Sequence, residues 1–441
     1  MKLLLCCSFV LLLLTAPVHS KTLYVPGNYP TIQQAIDAAV NGDTVLVDPG
    51  TYVENIDFMG KAITVASADG PTVTVIDGSQ PSNPLYRSVA IFKSGEKSDS
   101  VLKGFTLTNG SGSIGYGGWF HGGGIFCYYA SPTIIDNIII KNATPAPGRG
   151  GGMNTYCCDD VTVAGCTFRE NSAGYRGGGL ANDQSGITLA NCTFAENVAA
   201  HIGGGIYSFL SDLSVNSCTM SVNSGSDGGG MFNYSSNVTV GNSILWSNTP
   251  NEIVVYGSLN TEVLHCCIQG GWPGTGNVDA DPLFVDPHDG DYHLTFPSPC
   301  KDAGCNTLPG GLPSEDFEGD PRIAYGTTDM GADEFYTHLY YTGDATPSGS
   351  VEVKFVGLPG TMPVGLFIGS GILDPSIPSM WGDWYLQFPI IGPVDLGSVP
   401  SPGGVLLISG TIPSSPPAPY SIPMQALIGA ELTNLCVLEV M

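Results

Sequence analysis

The feature that most constrains this chain is an internal repeat in its middle. Three segments that start 26 residues apart share one pattern: VTVAGCTFRENSAGYRGGGL from Val161, ITLANCTFAENVAAHIGGGI from Ile187 and LSVNSCTMSVNSGSDGGGM from Leu213. The frame continues in both directions, with further copies that start at Ser100, Pro132, Val238 and Thr261. This spacing is too short for a helical crossover between parallel strands, so each copy is expected to stack on the next as one coil of a solenoid.

Within each copy, apolar residues alternate along the chain. Val161 and Val163 are followed, after a one-residue slip, by Cys166 and Phe168, and such a period of two is typical of strands with one buried face. Glycine triplets separate the strands, at Gly122–Gly124, Gly150–Gly152, Gly177–Gly179, Gly203–Gly205 and Gly228–Gly230. The 60 Gly and 33 Pro residues exclude a mostly helical protein. The sequence therefore predicts an all-β parallel β-helix.

Stacking would place equivalent residues of successive coils in ladders with a spacing of about 4.8 Å. An asparagine ladder is expected to share amide hydrogen bonds at a tight bend: Asn142, Asn171, Asn197, Asn223 and Asn248. An apolar ladder is expected in the interior: Ile125, Met153, Leu180, Ile206 and Met231. A third ladder contains small polar or thiol side chains: Cys166, Cys192, Cys218, Ser243 and Cys266.

The cysteine ladder is expected to consist of reduced core thiols. Equivalent side chains in register keep their Cβ atoms at about the spacing of the coils, whereas a disulfide needs about 3.8 Å. Export would favour bridges elsewhere in the chain. The pairs that the sequence suggests are Cys300 with Cys305, and Cys127 with Cys157 or Cys158.

Residues 1–20 have the organisation of a secretory signal. Lys2 precedes an apolar run from Leu3 to Leu14, and small residues follow it up to Ser20. The product is therefore expected to be secreted or held at the cell surface. No later window offers the roughly 20 uninterrupted apolar residues that a transmembrane helix requires, so none is expected in the mature chain.

A short helix is expected to close the N-terminal end of the solenoid. Thr31 and Gln34 match a capping box, apolar residues from Ile32 to Ala39 fall on one helical face, and Gly42 is expected to end the helix. The pattern from Thr31 to Glu54, TIQQAIDAAVNGDTVLVDPGTYVE, resembles the opening of the pectin-lyase-like superfamily, and in particular pectinesterases.

Two further resemblances concern architecture. The glycine-triplet coils resemble the right-handed parallel β-helix repeats of secreted bacterial proteins and of chlamydial polymorphic outer membrane proteins. DADPLFVDPHDGDYHLTFPSPCKDAG at Asp279–Gly304 and EGDPRIAYGTTDMGADEF at Glu318–Phe335 resemble the choice-of-anchor region that follows such helices. These resemblances imply a right-handed β-helix with a C-terminal cap over residues 21–335.

From residue 336 to residue 441 the repeat is replaced by short apolar runs punctuated by proline, as in SVEVKFVGL and GVLLISGTI. Regularly spaced short strands with turn signals predict a separate, small β-sandwich-like domain.

Charge limits the partners of the chain. With 14 Lys+Arg against 39 Asp+Glu, the formal net charge of −25 excludes nucleic acid as a general partner. The remaining cations of the coils include Arg149 and Arg176, which directly precede their glycine triplets, and His121 holds the same position one coil earlier. We expect these three side chains on one solvent-facing bend, near the acidic pair Asp159 and Asp160.

This column has two interpretations. It is either a row of cationic side chains that binds an acidic sugar or a set of turn residues without a selected role. In the second interpretation, Ile202 and Asp227 continue the same column of turn residues. Neighbouring aromatic residues could stack on sugar rings or pack against the wall of the coil: Trp119, Phe120, Tyr128, Tyr129 and Tyr156. Substrate binding is assigned to His121, Arg149, Arg176 and Tyr156.

Catalysis has weaker support in the sequence. Lyase chemistry would need a base, for which Arg149 and Arg176 are the candidates. Hydrolysis would need two opposed carboxylates. The favoured candidates are Asp159 and Asp160, and Asp183 and Asp227 also lie in the coils. The Asn-Thr-Asp, Asp-Asp, His-Gly and Arg-x-Lys motifs of the hydrolases in this superfamily do not occur as a set.

No cofactor is required by this interpretation, although Ca²⁺ is possible. Carboxylate oxygens suit Ca²⁺, and five of them lie close together in the sequence, whereas Asp-Pro and Asp-Gly pairs are also ordinary turn residues: Asp279, Asp281, Asp286, Asp289 and Asp291.

The sequence favours an exported, non-catalytic surface protein for adhesion or glycan binding, with an extracellular polysaccharide or a cell-surface glycan as its partner. The alternatives are a polysaccharide lyase or glycoside hydrolase that acts on acidic glycans, and a structural spacer that carries the C-terminal domain.

Overall fold

The structure, a computed structural model, describes residues 20–257, 260–295, 297–308, 311–323 and 326–335, together with the backbone of strands between residues 338 and 440. The proposed signal segment 1–20 lies, except for its last residue, outside the described residues. Three long sheets of ten, nine and eight strands run along the coils, and every strand pair in them is parallel.

Each coil contributes one strand to each sheet. The first sheet contains Thr22–Val25, Thr44–Val47, Thr64–Ser67, Val101–Lys103, Thr133–Ile135, Val161–Ala164, Gly186–Ala190, Asp212–Asn216, Asn237–Gly241 and Asn260–Leu264. The second contains Gly50–Val53, Thr74–Asp77, Thr106–Thr108, Ile138–Ile140, Thr167–Arg169, Thr193–Ala195, Thr219–Ser221, Ile244–Trp246 and Cys267–Ile268. The third contains Ile56–Asp57, Ala90–Phe92, Ile125–Tyr128, Met153–Tyr156, Leu180–Asp183, Ile206–Phe209, Met231–Tyr234 and Ile253–Tyr256.

Shorter strands and a 3-10 turn lie outside the three long sheets. A parallel sheet contains Ala143–Thr144, Ser172–Ala173 and Val198–Ala199, and an antiparallel one contains Tyr86–Arg87, Gly112–Ile114 and Phe120–His121. The chain also forms a 3-10 turn at Tyr116–Gly118 and an antiparallel pair of Phe284–Asp286 with Asp291–Leu294.

The register confirms the repeat alignment. Val161 pairs with Ile187, Ile187 with Leu213, and Leu213 with Val238, so the copies found in the sequence occupy successive coils. The predicted apolar ladder from Ile125 to Met231 is fully buried. The cysteine ladder is buried as well, and all ten cysteines of the described residues are unbridged. The suggested bridges Cys300–Cys305 and Cys127 to Cys157 or Cys158 are therefore absent from this part of the chain.

The N-terminal helix is shorter than predicted. It spans Ile32–Ala38, and the Thr31 side chain accepts a hydrogen bond from the Gln34 backbone, as the capping box requires. It ends before Gly42, because Ala39 is already extended and the Lys61 ammonium donates to the carbonyl oxygens of Ile36, Asp37 and Ala39. A lysine from the next coil thus satisfies the end of the helix.

The asparagine ladder forms a continuous hydrogen-bond chain at the bend between the second and third sheets. Asn197 illustrates the pattern: its backbone N–H and its Nδ2 both donate to Oδ1 of Asn223, at 3.0 and 2.9 Å. Asn248 has no asparagine after it and donates instead to the carboxyl group of Glu252. Because Glu252 is only 7% exposed, its carboxyl group ends the chain of amides inside the protein.

Burial raises the pKa of Glu252 from 4.5 to about 7, against the opposing effect of its hydrogen bonds from Asn248. The folded protein therefore keeps a proton that the unfolded chain releases, and stability is lost as the pH rises from about 4.5 through about 7. Between pH 5 and pH 8 we expect the wild-type protein to lose about 2 kcal/mol of its free energy of unfolding through this group. Glu252→Gln stays neutral and should not show this loss. Urea unfolding at pH 5 and pH 8 measures this, and parallel profiles for the two proteins would contradict it.

The glycine triplets bring the backbones of neighbouring coils close together. Gly150, Gly151 and Gly152 each donate a backbone hydrogen bond to the next coil, at 3.0 Å in all three cases. A Cβ atom on Gly151 would lie 2.5 Å from the carbonyl oxygens of Gly178 and Ser172. Glycine is therefore required here by the spacing of the coils.

Residues 278–335, which we call the flanking segment, lie against the outside of the second sheet. The Ala332 N–H donates to Thr219 Oγ1 at 3.0 Å, and Asn242 exchanges hydrogen bonds with the Cys305 backbone. The resemblance implied a C-terminal cap, but these contacts run along the side of the coils. At the end itself, Trp272 packs against the interior cluster and Asn277 accepts from the Cys266 N–H.

Beyond residue 335, strand backbones pair in antiparallel fashion in sheets of three, five and two strands. They comprise His338–Gly343, Ser350–Val356, Pro363–Gly369, Ile372–Ser379, Gly382–Leu386, Ile390–Ser398, Leu406–Thr411, Tyr420–Ile428, Glu431–Leu432 and Cys436–Val440. The sandwich-like arrangement of residues 336–441 and the domain boundaries remain predictions.

Candidate functional site

The outer face of the third sheet carries an unusual density of aromatic side chains. Successive residues of a strand point to opposite faces, so the second and fourth residues after each glycine triplet point out of the coil. The second residues stack in one column: Phe126, Asn154, Ala181, Tyr207, Phe232 and Val254. The fourth residues stack in another: Tyr128, Tyr156, Asp183, Phe209, Tyr234 and Tyr256.

The residues that precede the glycine triplets form a third column beside them. His121, Arg149 and Arg176 pair in parallel from coil to coil, and Ile202 and Asp227 continue the series. The predicted alignment is therefore confirmed, but the expected solvent exposure of His121 is wrong. Ser113 of the neighbouring loop pairs with His121, and the His121 Nε2 atom lies 3.0 Å from the Tyr116 carbonyl oxygen. Burial lowers the pKa of His121, and the nearby charge of Arg149 lowers it further.

Arg149 and Arg176, the arginine pair, are held by the columns described above. Arg149 Nη1 donates to Asp183 Oδ1 at 2.5 Å, and both side chains are largely buried. Arg176 donates from Nη1 to the Tyr207 hydroxyl and from Nη2 to the Tyr175 hydroxyl, at 2.8 Å each. Its guanidinium carbon also lies 4.4 Å from the centroid of the Tyr175 ring and 5.0 Å from that of the Tyr207 ring. The rings thus fix the guanidinium by hydrogen bonds and by cation–π contact.

The charge of this cluster is not balanced. Arginine side chains keep their charge at any physiological pH, and of the two guanidinium groups only that of Arg149 makes an ion pair with a described carboxylate. Burial raises the pKa of Asp183, although Arg149 and Arg176 oppose this. With Asp183 ionised, one positive charge remains beside Tyr207, in a chain whose overall charge is strongly negative. An anionic group is therefore the ligand that this position favours.

A groove of about 520 Å³ begins at this charge. We call it the aromatic groove, and it is lined by Arg176, Ile202, Tyr207, Phe209, Phe232, Tyr234 and Tyr256. Adjacent rings of its outer column are in contact: Phe209 and Tyr234 are tilted, with a centroid distance of 5.5 Å, and Tyr234 and Tyr256 stack at 5.3 Å. Exposure increases along the column, from the half-buried Phe209 to Tyr256, which is 62% exposed. Contiguous exposed apolar surface of this kind marks binding sites.

The structure places the other predicted site residues elsewhere. Tyr156 lies in the outer column and stacks between Tyr128 and Tyr116, with centroid distances of 5.4 and 5.0 Å. Asp159 and Asp160 are exposed in the turn after the strand Met153–Tyr156, whereas Arg149 precedes that strand. Asp159 pairs with Lys97 at 3.4 Å. The carboxylate that accompanies the arginine pair is Asp183.

Several aromatic residues of the site were not identified from the sequence, namely Tyr175 beside Arg176 and the groove residues Tyr207, Phe209, Phe232, Tyr234 and Tyr256. The signal that could have found them is the alternation within each copy. Once the glycine triplets are aligned, the second and fourth residues after each triplet are outward-facing, and these columns contain most of the missed rings.

Metal-ligand geometry occurs at a different place from the predicted one. Within the part of the chain that the structure describes, the one group of three or more suitable ligand atoms within 4.8 Å of one another belongs to His293, Glu318 and Asp333. The five aspartates proposed for Ca²⁺ do not form such a group. Several of their carboxylates accept local backbone hydrogen bonds, as Asp279 does from Gly270 and Asp281 from Leu283.

His293 is better described as an ion-pair centre. Its Nδ1 lies 2.5 Å from Asp291 Oδ1 and its Nε2 lies 3.0 Å from Glu318 Oε2. Burial alone would lower the pKa of His293, but the hydrogen bonds to these carboxylates and the charge of Asp333 raise it to about 11. At neutral pH both ring nitrogens therefore carry protons and have no lone pair for a metal.

Comparison with known proteins supports the architecture. Residues 44–207 match a family model described as a right handed beta helix region. Together with the parallel sheets and the coil register, this match supports a right-handed parallel β-helix as the architecture of the coils. No curated protein matches the chain. No helix among the described residues is long and apolar enough to cross a membrane.

Proposed function

We propose that this chain is an exported, non-catalytic surface protein that binds an extracellular polysaccharide or a cell-surface glycan along the aromatic groove, and that it serves in adhesion. The observation that carries the proposal is the aromatic column from Phe209 to Tyr256, which begins beside the uncompensated charge of Arg176. Aromatic side chains offer apolar surface against which sugar rings pack, and a guanidinium group pairs with a carboxylate in a bidentate fork.

The dimensions of the groove favour an extended ligand. Its rings follow the coil axis, and neighbouring centroids are 5.3 to 5.5 Å apart in the outer column. A chain of sugar residues lying along the groove would contact several of these rings in succession. A carboxylated residue of that chain would lie next to Arg176.

A polysaccharide lyase that acts on acidic glycans remains the competing proposal. Its support is the presence of two groups with displaced pKa values, Asp183 and His121, beside the arginine pair. Against it, Arg149 is engaged by Asp183 and Arg176 by two tyrosine hydroxyls, and there is no Lys or Arg between Arg176 and Lys301 to replace them as a base.

We expect Tyr234→Ala to weaken glycan binding by roughly threefold to tenfold, because it removes a central ring of the column. Arg176→Ala is expected to weaken the binding of carboxylated glycans by at least roughly tenfold and that of neutral glycans by less. The measurement is a titration of the full exported chain with the polysaccharides selected by a panel of neutral and uronate-containing glycans.

Tyr24→Ala is the matched control, since Tyr24 is a similarly exposed aromatic residue on the first sheet. Equal losses in Tyr24→Ala and Tyr234→Ala would refute a specific groove. Unsaturated or newly reducing products that disappear in Arg149→Ala and Arg176→Ala would establish the lyase instead. Failure to bind any glycan of the panel would favour the spacer.

A further inference from the structure

Two adjacent cysteines at the last coil point in opposite directions. Cys266 belongs to the interior cluster and continues the cysteine ladder, whereas Cys267 belongs to a second cluster on the outside of the sheet. The strand Cys267–Ile268 pairs with Ile244–Trp246, so Cys267 is fixed in the register of the second sheet. Its side chain therefore faces the flanking segment.

Cys300 meets Cys267 from the flanking segment. The Cys300 backbone is held on both sides, since its N–H donates to Ser298 Oγ at 3.1 Å and its carbonyl oxygen accepts from the Met330 N–H at 3.0 Å. Both cysteines are fully buried in the outer cluster, together with Ile244, Leu294 and Met330. The Cys267 thiol donates to the Ala280 carbonyl oxygen at 3.0 Å, and the proximity of the two thiols lowers the pKa of Cys267 and raises that of Cys300.

We propose that Cys267 and Cys300 are the cysteines that form a disulfide in the oxidised protein, and that this bond ties the flanking segment to the last coil. The ladder cysteines differ from them in geometry. Cys192 and Cys218 are equivalent residues of stacked strands and stay parallel at the spacing of the coils, whereas Cys267 and Cys300 come from separate segments and pack in one buried cluster.

The bond forms by exchange with a small disulfide or with the disulfide of an oxidoreductase. The Cys267 thiolate attacks one sulfur of the oxidant, which leaves a mixed disulfide and releases one thiol. Cys300 then attacks the Cys267 sulfur and releases the second thiol. The two protons of the cysteines pass to the two released thiols, so the oxidant is reduced by two electrons and the protein loses two hydrogen atoms.

Burial sets the order of events. Because neither thiol is accessible in the folded protein, the oxidant must react before the flanking segment docks on the coils. Once formed, the bond is shielded from reductants. It would close a loop between the last coil and the flanking segment and so restrict the unfolded chain.

The test uses the full chain, refolded with oxidised glutathione and digested without reduction. Cleavage before aspartate separates the two cysteines: Cys267 lies in the peptide 227–278, Cys300 in 291–301 and Cys305 in 302–315. We expect 227–278 linked to 291–301, and separation of the two after reduction. A link between 291–301 and 302–315, or both peptides recovered only as free thiols, would overturn the proposal.

Cys266 provides the matched control, because it shares the peptide 227–278 with Cys267. Serine already occupies its ladder position one coil earlier, at Ser243, so Cys266→Ser is expected to fold. The link should persist in Cys266→Ser and disappear in Cys267→Ser. If the link persisted in Cys267→Ser, another thiol would form the bond and the proposal would be wrong. If that variant does not fold, the digest of the wild-type protein still shows whether the two peptides are linked.

Discussion

Replacing Asn197 by alanine is expected to lower the free energy of unfolding by about 4 kcal/mol, because it leaves several buried polar groups without partners. The Asn197 carboxamide oxygen accepts from the backbone N–H and from Nδ2 of Asn171, at 3.1 and 3.0 Å. Its Nδ2 donates to the Phe168 carbonyl oxygen at 2.8 Å and to Asn223 Oδ1 at 2.9 Å. No water can reach these groups, since Asn197 is fully buried.

Urea unfolding followed by circular dichroism measures this loss. Asn237→Ala is the control, because Asn237 is an exposed asparagine whose Nδ2 donates to Asp212 at the surface. We expect the control to stay within about 0.5 kcal/mol of the wild type. Similar losses in both variants would mean that the ladder contributes no more than a surface hydrogen bond.

The same asparagine ladder shows why the fold could be predicted from the sequence. A solenoid repeats one local environment, so a residue required by that environment recurs at the same place in every copy. Asn142 to Asn248 and the glycine triplets recur for this reason, and their spacing gave the strand register directly. The end of the ladder does not recur. The last acceptor is Glu252, which aligns with the third glycine of the preceding triplet, and because it occurs only once it left no pattern to find.

Only part of the site could be predicted, because the sequence repeat indicates which residues align and not which side chains they contact. The column of His121, Arg149 and Arg176 follows from alignment of the glycine triplets. The burial of His121 could not be predicted, because it depends on a loop that belongs to one coil only. Asp183 and Tyr207 were missed as partners of the arginine pair since each belongs to a different coil from the arginine it contacts, and side-chain reach between coils is not encoded in the repeat.

The flanking segment lies beyond the repeat, and there prediction was weakest. Sequence proximity suggested that Asp279 to Asp291 would share a cation, but consecutive turns direct these carboxylates to different backbone donors. The contacts that fix the segment join residues far apart in the chain, such as Thr219 with Ala332. No local pattern could have indicated them.

Gly178→Ala is expected to destabilise the coils by at least about 3 kcal/mol, because the added methyl group has no space between two backbones. Its Cβ would lie 2.4 Å from the Gly204 carbonyl oxygen and 2.6 Å from the Val198 backbone. Neither neighbour can move independently, since Gly178 and Gly179 donate backbone hydrogen bonds to Gly203 and Gly204. The clash could be relieved only if the coils moved apart, and this would break the backbone hydrogen bonds on which their stacking depends.

Gly225→Ala tests the same bend with a much milder contact, because the nearest atom to its added Cβ is the His201 carbonyl oxygen at 3.2 Å. Thermal unfolding of the two variants should show a large decrease for Gly178→Ala and a small one for Gly225→Ala. Equal effects would indicate that loss of glycine flexibility, and not the distance between coils, determines the cost. The distinction matters for the groove, because the triplets set the coil spacing and hence the separation of Phe209, Tyr234 and Tyr256. A variant that widens this spacing should weaken glycan binding even though it removes none of the rings.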